Sequence, residues 1–220
     1  MRITFLMPAD DLTGGNRVVG AYAKTLRQRG HEVLVVSNAP DRPSWRERMR
    51  ALRHGRWPVL QSGSRPRTGH IALARVPHKT LEQPRPITPD DLPDADVLIA
   101  TWWETAVWME RMPSSKGRKV HLIQGYEVWT GGDARARVHD ALRLPNRKIA
   151  ISRALAREIQ AELGDLDIAV VPNAVDLDQF HAPVRRRGTP PTVGFIYARA
   201  PFKGADTAIR ACELARRELP

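Results

Sequence analysis

The chain has 220 residues, 42% hydrophobic and 27% charged, with 35 basic against 24 acidic side chains and a formal net charge of +11. That length buries a real core, the composition is that of a globular protein, and the apolar runs are too short to cross a bilayer. The single cysteine, Cys212, excludes an internal disulfide framework and a cysteine-rich zinc site, while the positive charge favours anionic partners such as nucleic acid, an acidic membrane or phosphorylated small molecules.

The first apolar run, ITFLM (residues 3–7), reads as a buried strand. ITFLMPA is too short for a secretory leader and no small-residue cleavage site closes it, so a cytoplasmic location is expected. Residues 16–29 read as a helix, with Val18, Val19, Tyr22 and Leu26 on one face and Gly30 as its stop. EVLVVS (32–37) is a second strand, so the chain opens with a βαβ unit and a parallel sheet. Residues 39–93 are rich in Pro, Arg and Gly, with one candidate strand, IALARV (71–76). Regular alternation then returns. Strands are predicted at 96–101, 119–124, 148–152 and 168–172, with helices near 104–111, 133–143 and 153–163. The result is a doubly wound, mainly parallel α/β sheet of Rossmann-like type over residues 1–175. A Pro- and Arg-rich linker follows at 176–191. A strand at 192–198 and a helix at 205–219 then begin a second α/β domain, 192–220, which two elements cannot complete.

Several motifs fall where ligands bind in such sheets. Gly14 and Gly15 stand between the first strand and its helix, where bare amides and the positive helix end favour an anion. The stretch is neither G-x-G-x-x-G nor a loop ending in GK[ST], which disfavours a dinucleotide or P-loop site; a tight turn without ligand is the bland alternative. YARAPFKG (197–204) also links a strand to a helix and sets Arg199 and Lys203 near that helix's start, where cations suit a diphosphate. The alternative is two solvated cations. Asp94-Ala95-Asp96 is a D-x-D, but it enters a strand at its amino end and reads as a polar turn; no other clustered ligands appear, and no metal is expected.

Taken in order, these pieces resemble the retaining glycosyltransferases of family 4, which have the two-domain GT-B fold. The resemblance rests on the early strand followed by GG and a helix ending in RGHEV, on ISRALAREI, on VPNAVDLDQF at the domain junction, and on the strand, Arg and KG of the second domain. PNAVDLDQF is the most specific piece, being similar to the family's PNGVD-x-x-x-F. The resemblance implies transfer of a sugar from a nucleotide-sugar donor to a glycan, lipid-linked or small-molecule acceptor, with no cofactor; no nucleic-acid partner is expected, because no recognised motif for one is present and the arginines sit in an irregular segment. It implies that Gly14, Gly15, Arg199 and Lys203 hold the donor phosphates. The spacing between Arg199 and Lys203 is one residue shorter than the family's. Many members carry a histidine where this chain has Gln124, which can orient a group but cannot act as a base; Glu127 is a nearby carboxylate. Gln124 and Glu127 are the candidate catalytic residues. The acceptor side is expected to involve Asp11, Asn16, Trp103, Glu104 and Tyr126, with one of Trp102 and Trp103 buried and the other lining the cleft. His121, mid-strand, is expected in the core. The family's E-x7-E motif would lie beyond Pro220, so this chain alone is expected to be inactive and to be a fragment of a longer enzyme.

Residues 41–67 hold eight arginines against two acids. A helix over 44–53 would put Trp45, Met49 and Leu52 on one face, with Arg46, Arg50 and Arg53 elsewhere, which suits peripheral contact with the anionic inner face of the cell membrane. Two other functions compete with transfer. One is a catalytically inactive glycosyltransferase-like domain that docks an anionic partner. The other is nucleic-acid binding, which lacks a recognised motif.

Overall fold

The computed structural model describes residues 1–40, 49, 53, 69–130, 133–184, 192–195, 197 and 203–218. The chain divides into two compact units, Met1–Ala174 and Val175–Pro220.

The first unit is built on strands β1 (Arg2–Met7), β2 (Glu32–Ser37), β3 (His78–Thr80), β4 (Val97–Ala100), β5 (Arg118–Ile123), β6 (Arg147–Ala150) and β7 (Ile168–Val170). They form one seven-stranded sheet in the order β3-β2-β1-β4-β5-β6-β7. Every pairing is parallel. The helices are α1 (Gly14–Gln28), α2 (His70–Ala74), α3 (Trp103–Glu110), α4 (Ala134–Arg143) and α5 (Arg153–Leu163).

The apolar runs are continuous because the sheet is covered on both faces. Along β1, Ile3, Phe5 and Met7 pack with Val19 and Ala23 of α1 and Ile71 of α2. Leu6 turns to the other face, with Ala106 and Met109 of α3. A third cluster joins Ile123 and Ala150 to Val138 and Leu142 of α4 and Ile159 of α5. The doubly wound architecture is therefore present, and its strand order reverses between β1 and β4. Ligands in open α/β sheets bind in the crevice beyond the carboxyl ends of the strands at such a switch point.

Two elements differ from the sequence expectation. IALARV is not a strand: its first residues belong to α2, and the edge strand is the three-residue β3 that follows. A short apolar run does not by itself separate helix from strand. Here distant Asp10 decides, because its carboxylate accepts the amides of Ile71 (3.2 Å) and Ala72 (3.3 Å) at the helix start. Gly69 permits this approach, since a Cβ there would run into the Asp10 carboxylate. Arg75, at φ 54°, ends the helix. In the second unit, residues 192–195 and Tyr197 of the expected strand 192–198 lie outside any strand. Its helix, α6 (Ala205–Glu218), is present. The junction motif VDLDQF is a turn organised by Asp176, whose Oδ1 accepts the amides of Asp178 (3.1 Å) and Gln179 (3.2 Å).

Candidate functional site at the carboxyl edge of the sheet

Helix α1 begins two residues earlier than its apolar pattern suggests, so Gly14 and Gly15 are its first two residues. Neither has positive φ. The glycines are thus not there to allow a left-handed turn. A Cβ on Gly14 would meet nothing within 4 Å, and one on Gly15 would stand 3.5 Å from Gln124 Nε2. Thr13 precedes them, and the first turn of α1 has neither a side-chain cap from Thr13 nor an acidic residue of its own.

The loop before the helix is closed by its own polar groups. Asp11 Oδ1 accepts the Thr13 amide (2.8 Å) and Asn16 Nδ2 (2.8 Å). Asn16 Nδ2 also donates to the Ala9 carbonyl (3.0 Å), and the His70 amide donates to the Asp11 carbonyl (3.0 Å). Asn16 is buried. The side chains of Asp11 and Asn16, expected on the acceptor side, are bonded within the loop that precedes the glycines. Asp10 caps α2.

Just after β5, Gln124 reaches across to Gly15, so the structure brings together the glycine pair and a residue that the resemblance singles out. Its Oε1 is buried and accepts no hydrogen bond. Three residues on, Glu127 is buried and accepts the Trp103 amide at 3.2 Å, at the first residue of α3. Burial pushes the Glu127 carboxyl up to about 8; the Trp103 amide opposes this and the charge of Glu104 adds to it. Perturbed carboxyls of this kind cluster at functional sites. Glu127 ties the loop after β5 to the helix after β4.

Both tryptophans of the pair pack on the same apolar cluster. Trp103 packs in the core with Tyr126 and Ile123, with Arg137 stacked 5.4 Å from its ring. Trp102 is the less buried of the two. Trp103, the first residue of α3, faces the inner side of that helix, against α4. Tyr126 is likewise buried, stacked on His139 at 5.9 Å and hydrogen-bonded to its Nε2 at 2.6 Å. Glu104 is exposed in the first turn of α3. His121 is in the core, as its mid-strand position suggests, and burial next to Lys148 lowers its imidazole to about 3.

Lys203 precedes α6 in the second unit and is exposed. Arg199, Arg46 and Arg50 lie outside the described residues; Arg53 and Met49 are helical and exposed. Asp94 pairs with Lys116 (3.1 Å) and Asp96 with Arg2 (3.3 Å), at the amino end of β4 and away from the glycines.

One feature was missed from sequence. Trp129, in the Gly-flanked loop GYEVWTGG, is 48% exposed and lines a cavity of about 440 Å³ with Gln124, Arg135, Ser152 and Glu158. An aromatic residue between glycines, just past a strand's carboxyl end, was the available signal.

Fold and edge together define a Rossmann-like α/β domain whose first helix opens with two glycines at the switch point. The family model for Glycosyltransferase Family 4 matches residues 12–179, so the chain belongs to that family. Solved structures of an alpha-glucosyltransferase also resemble it. The complex with UDP and a 13-mer DNA containing a HMU base aligns at TM-score 0.43 and 14% identity, over 77% of this chain and 42% of that one. The complex with UDP gives 0.44, 14%, 77% and 43%. The complex with UDP-glucose and DNA containing an abasic site gives 0.42, 15%, 77% and 42%. The chain thus spans less than half the length of these proteins. No curated protein matches it.

Proposed function

We propose that the chain carries the acceptor-side domain of a retaining glycosyltransferase, which moves a sugar from a nucleotide-sugar donor to a glycan, lipid-linked or small-molecule acceptor. The observation that carries this reading is the Gly14–Gly15 pair. It opens a helix at the switch point of a family 4 chain, its backbone has no conformational need of glycine, and the space where a Gly14 side chain would stand is open. A donor phosphate there would accept the first-turn amides and meet the positive end of α1.

Gln124, lying against Gly15, would donate its amide to a phosphate or sugar oxygen; it cannot accept a proton as a base. That suits a reaction driven by stabilising charge on the departing diphosphate, and the reading assigns no metal or cofactor. The assignment of Arg199 and Lys203 to that diphosphate rests on the resemblance alone.

Because the reading puts most of the donor pocket outside this chain, the test is release of nucleoside diphosphate by the full-length form from UDP-, GDP- and ADP-sugars, with saccharide, lipid-diphosphate-sugar and DNA acceptors offered in turn. Turnover with at least one donor is expected. Donor binding without turnover would favour an inactive docking domain, and neither binding nor turnover overturns the reading. A cytoplasmic, membrane-peripheral location belongs to the same proposal; among the described residues no helix is long and apolar enough to cross a membrane. Sedimentation with anionic vesicles should fall several-fold on combining Arg46→Ala, Arg50→Ala and Arg53→Ala, and equal sedimentation would contradict the membrane contact.

A further inference from the structure

Glu127 stands where two segments of the carboxyl edge meet. Its stem folds back over its own loop: a Cβ on Gly125 would stand 3.9 Å from Glu127 Cγ. Its Oε2 then accepts the amide of Trp103 at 3.2 Å, 24 residues earlier and the first residue of α3. One carboxyl joins the loop after β5 to the helix after β4. The same loop begins with Gln124, whose Nε2 lies 3.5 Å from where a Cβ of Gly15 would stand. Whatever seats Glu127 therefore also bears on the contact between Gln124 and the start of α1.

How well that seat holds depends on charge. Glu127 is only 5% exposed, and an ionised carboxylate is costly at that depth. From α3, Glu104 adds a charge of like sign. Helix α4 packs against both α3 and the loop after β5. Its charged groups are engaged elsewhere: Arg135 with Glu162, Arg137 over the Trp103 ring, His139 with Tyr126, and Arg143 with Asp140. The Trp103 amide favours the anion but does not outweigh burial, and the carboxyl is pushed up to about 8. The neutral acid suits the seat, because its carbonyl oxygen accepts the Trp103 amide without bringing a charge inside.

We propose that Glu127 is a positioning residue that works as the neutral acid: it latches the loop after β5 to α3 and so keeps Gln124 against Gly15, and loss of its proton opens the latch and lets Gln124 withdraw. The sign follows from burial. At neutral pH the loop is latched; above about 8 the carboxylate is driven towards water and away from Glu104. The step is local, since the bond it breaks ties one loop to one helix start and leaves the sheet pairings untouched. The consequence for donor binding, loss of the Gln124 amide from the phosphates, rests on the glycosyltransferase reading; the latch itself does not.

Carbon-13 NMR of the chain from neutral to alkaline pH tests this. Glu127 Cδ reports the proton, and the Overhauser contact between Gln124 Hγ and Gly15 Hα reports the position of Gln124. Glu127 should titrate at about 8, and the contact should fade severalfold over the same step while Val35 of β2 stays unmoved. Glu127→Gln should keep the contact across the range, because its amide oxygen accepts the Trp103 amide and cannot ionise. Glu127→Ala, checked for folding by circular dichroism, should lack the contact at every pH. Titration of Glu127 in the ordinary carboxylate range overturns the proposal, as does a contact that outlasts the titration or survives in Glu127→Ala. So does fading that persists in Glu127→Gln, or loss of the contact in that variant at neutral pH. Donor hydrolysis by the full-length form at neutral pH reports separately on the transferase reading: its absence beside an intact latch sinks the transferase and leaves the latch.

Discussion

The loops after β1 and after β5 both leave the carboxyl edge of the same sheet, yet they handle polar groups in opposite ways. In the first, Asp11, Asn16 and the backbone satisfy one another, and Asp10 caps α2. In the second, Gln124 Oε1 has no partner and Glu127 is buried with its carboxyl pushed up to about 8. A polar loop that closes on itself makes a rigid floor at little cost. A buried carboxyl and a buried amide oxygen without a partner cost stability, and natural proteins tolerate that cost where a ligand makes it good.

The largest expected effect tests the second loop. Glu127 holds its proton in the folded protein up to about 8, whereas unfolded it ionises near its ordinary 4.5. Between those values the folded state binds more protons, so stability falls as pH rises, by on the order of a few kcal/mol. His121 acts in the opposite sense. Its folded imidazole stays neutral to about 3 while the unfolded one protonates near 6.5, so stability falls as pH drops below 6.5. The two slopes offset each other between about 4.5 and 6.5, and these two groups alone leave stability nearly level there. Urea midpoints measured against pH should show the alkaline decline vanish in Glu127→Gln. A decline that survives the substitution would mean the carboxyl is not held protonated.

The next effect tests the first loop. Asn16→Ala removes two hydrogen bonds from a buried amide and leaves the Ala9 carbonyl unpaired. The expected cost is about 2 kcal/mol by denaturant unfolding, with donor turnover lost as the glycines lose their support. A cost within experimental error would show that the loop is not closed as described.

How much of this was legible in sequence follows from where the decisive interactions run. Six of the seven strands stand out because a sheet covered on both faces writes continuous apolar runs, as in ITFLM and EVLVVS. The exception is the three-residue β3; IALARV, expected as a strand in its place, is settled by Asp10 some sixty residues away, and local pattern carries no such signal. The same holds in the site. The glycine pair was visible as a strand-to-helix junction. That Asn16 turns inward, that Trp103 is the buried tryptophan and that Trp129 is the exposed one depend on packing against α4 and on Gly125.

The smallest change bears most directly on the central claim, that Gly14 is glycine for a ligand's sake. Gly14→Ala should raise stability by a few tenths to about 1 kcal/mol, because alanine suits a helix and its Cβ meets nothing. The same substitution should lower sugar-nucleotide turnover by about tenfold or more, because that Cβ stands where a phosphate would approach the helix start. Measuring both on one variant is decisive: a more stable protein with impaired turnover is the predicted result, and a more stable protein with unchanged turnover would contradict the account.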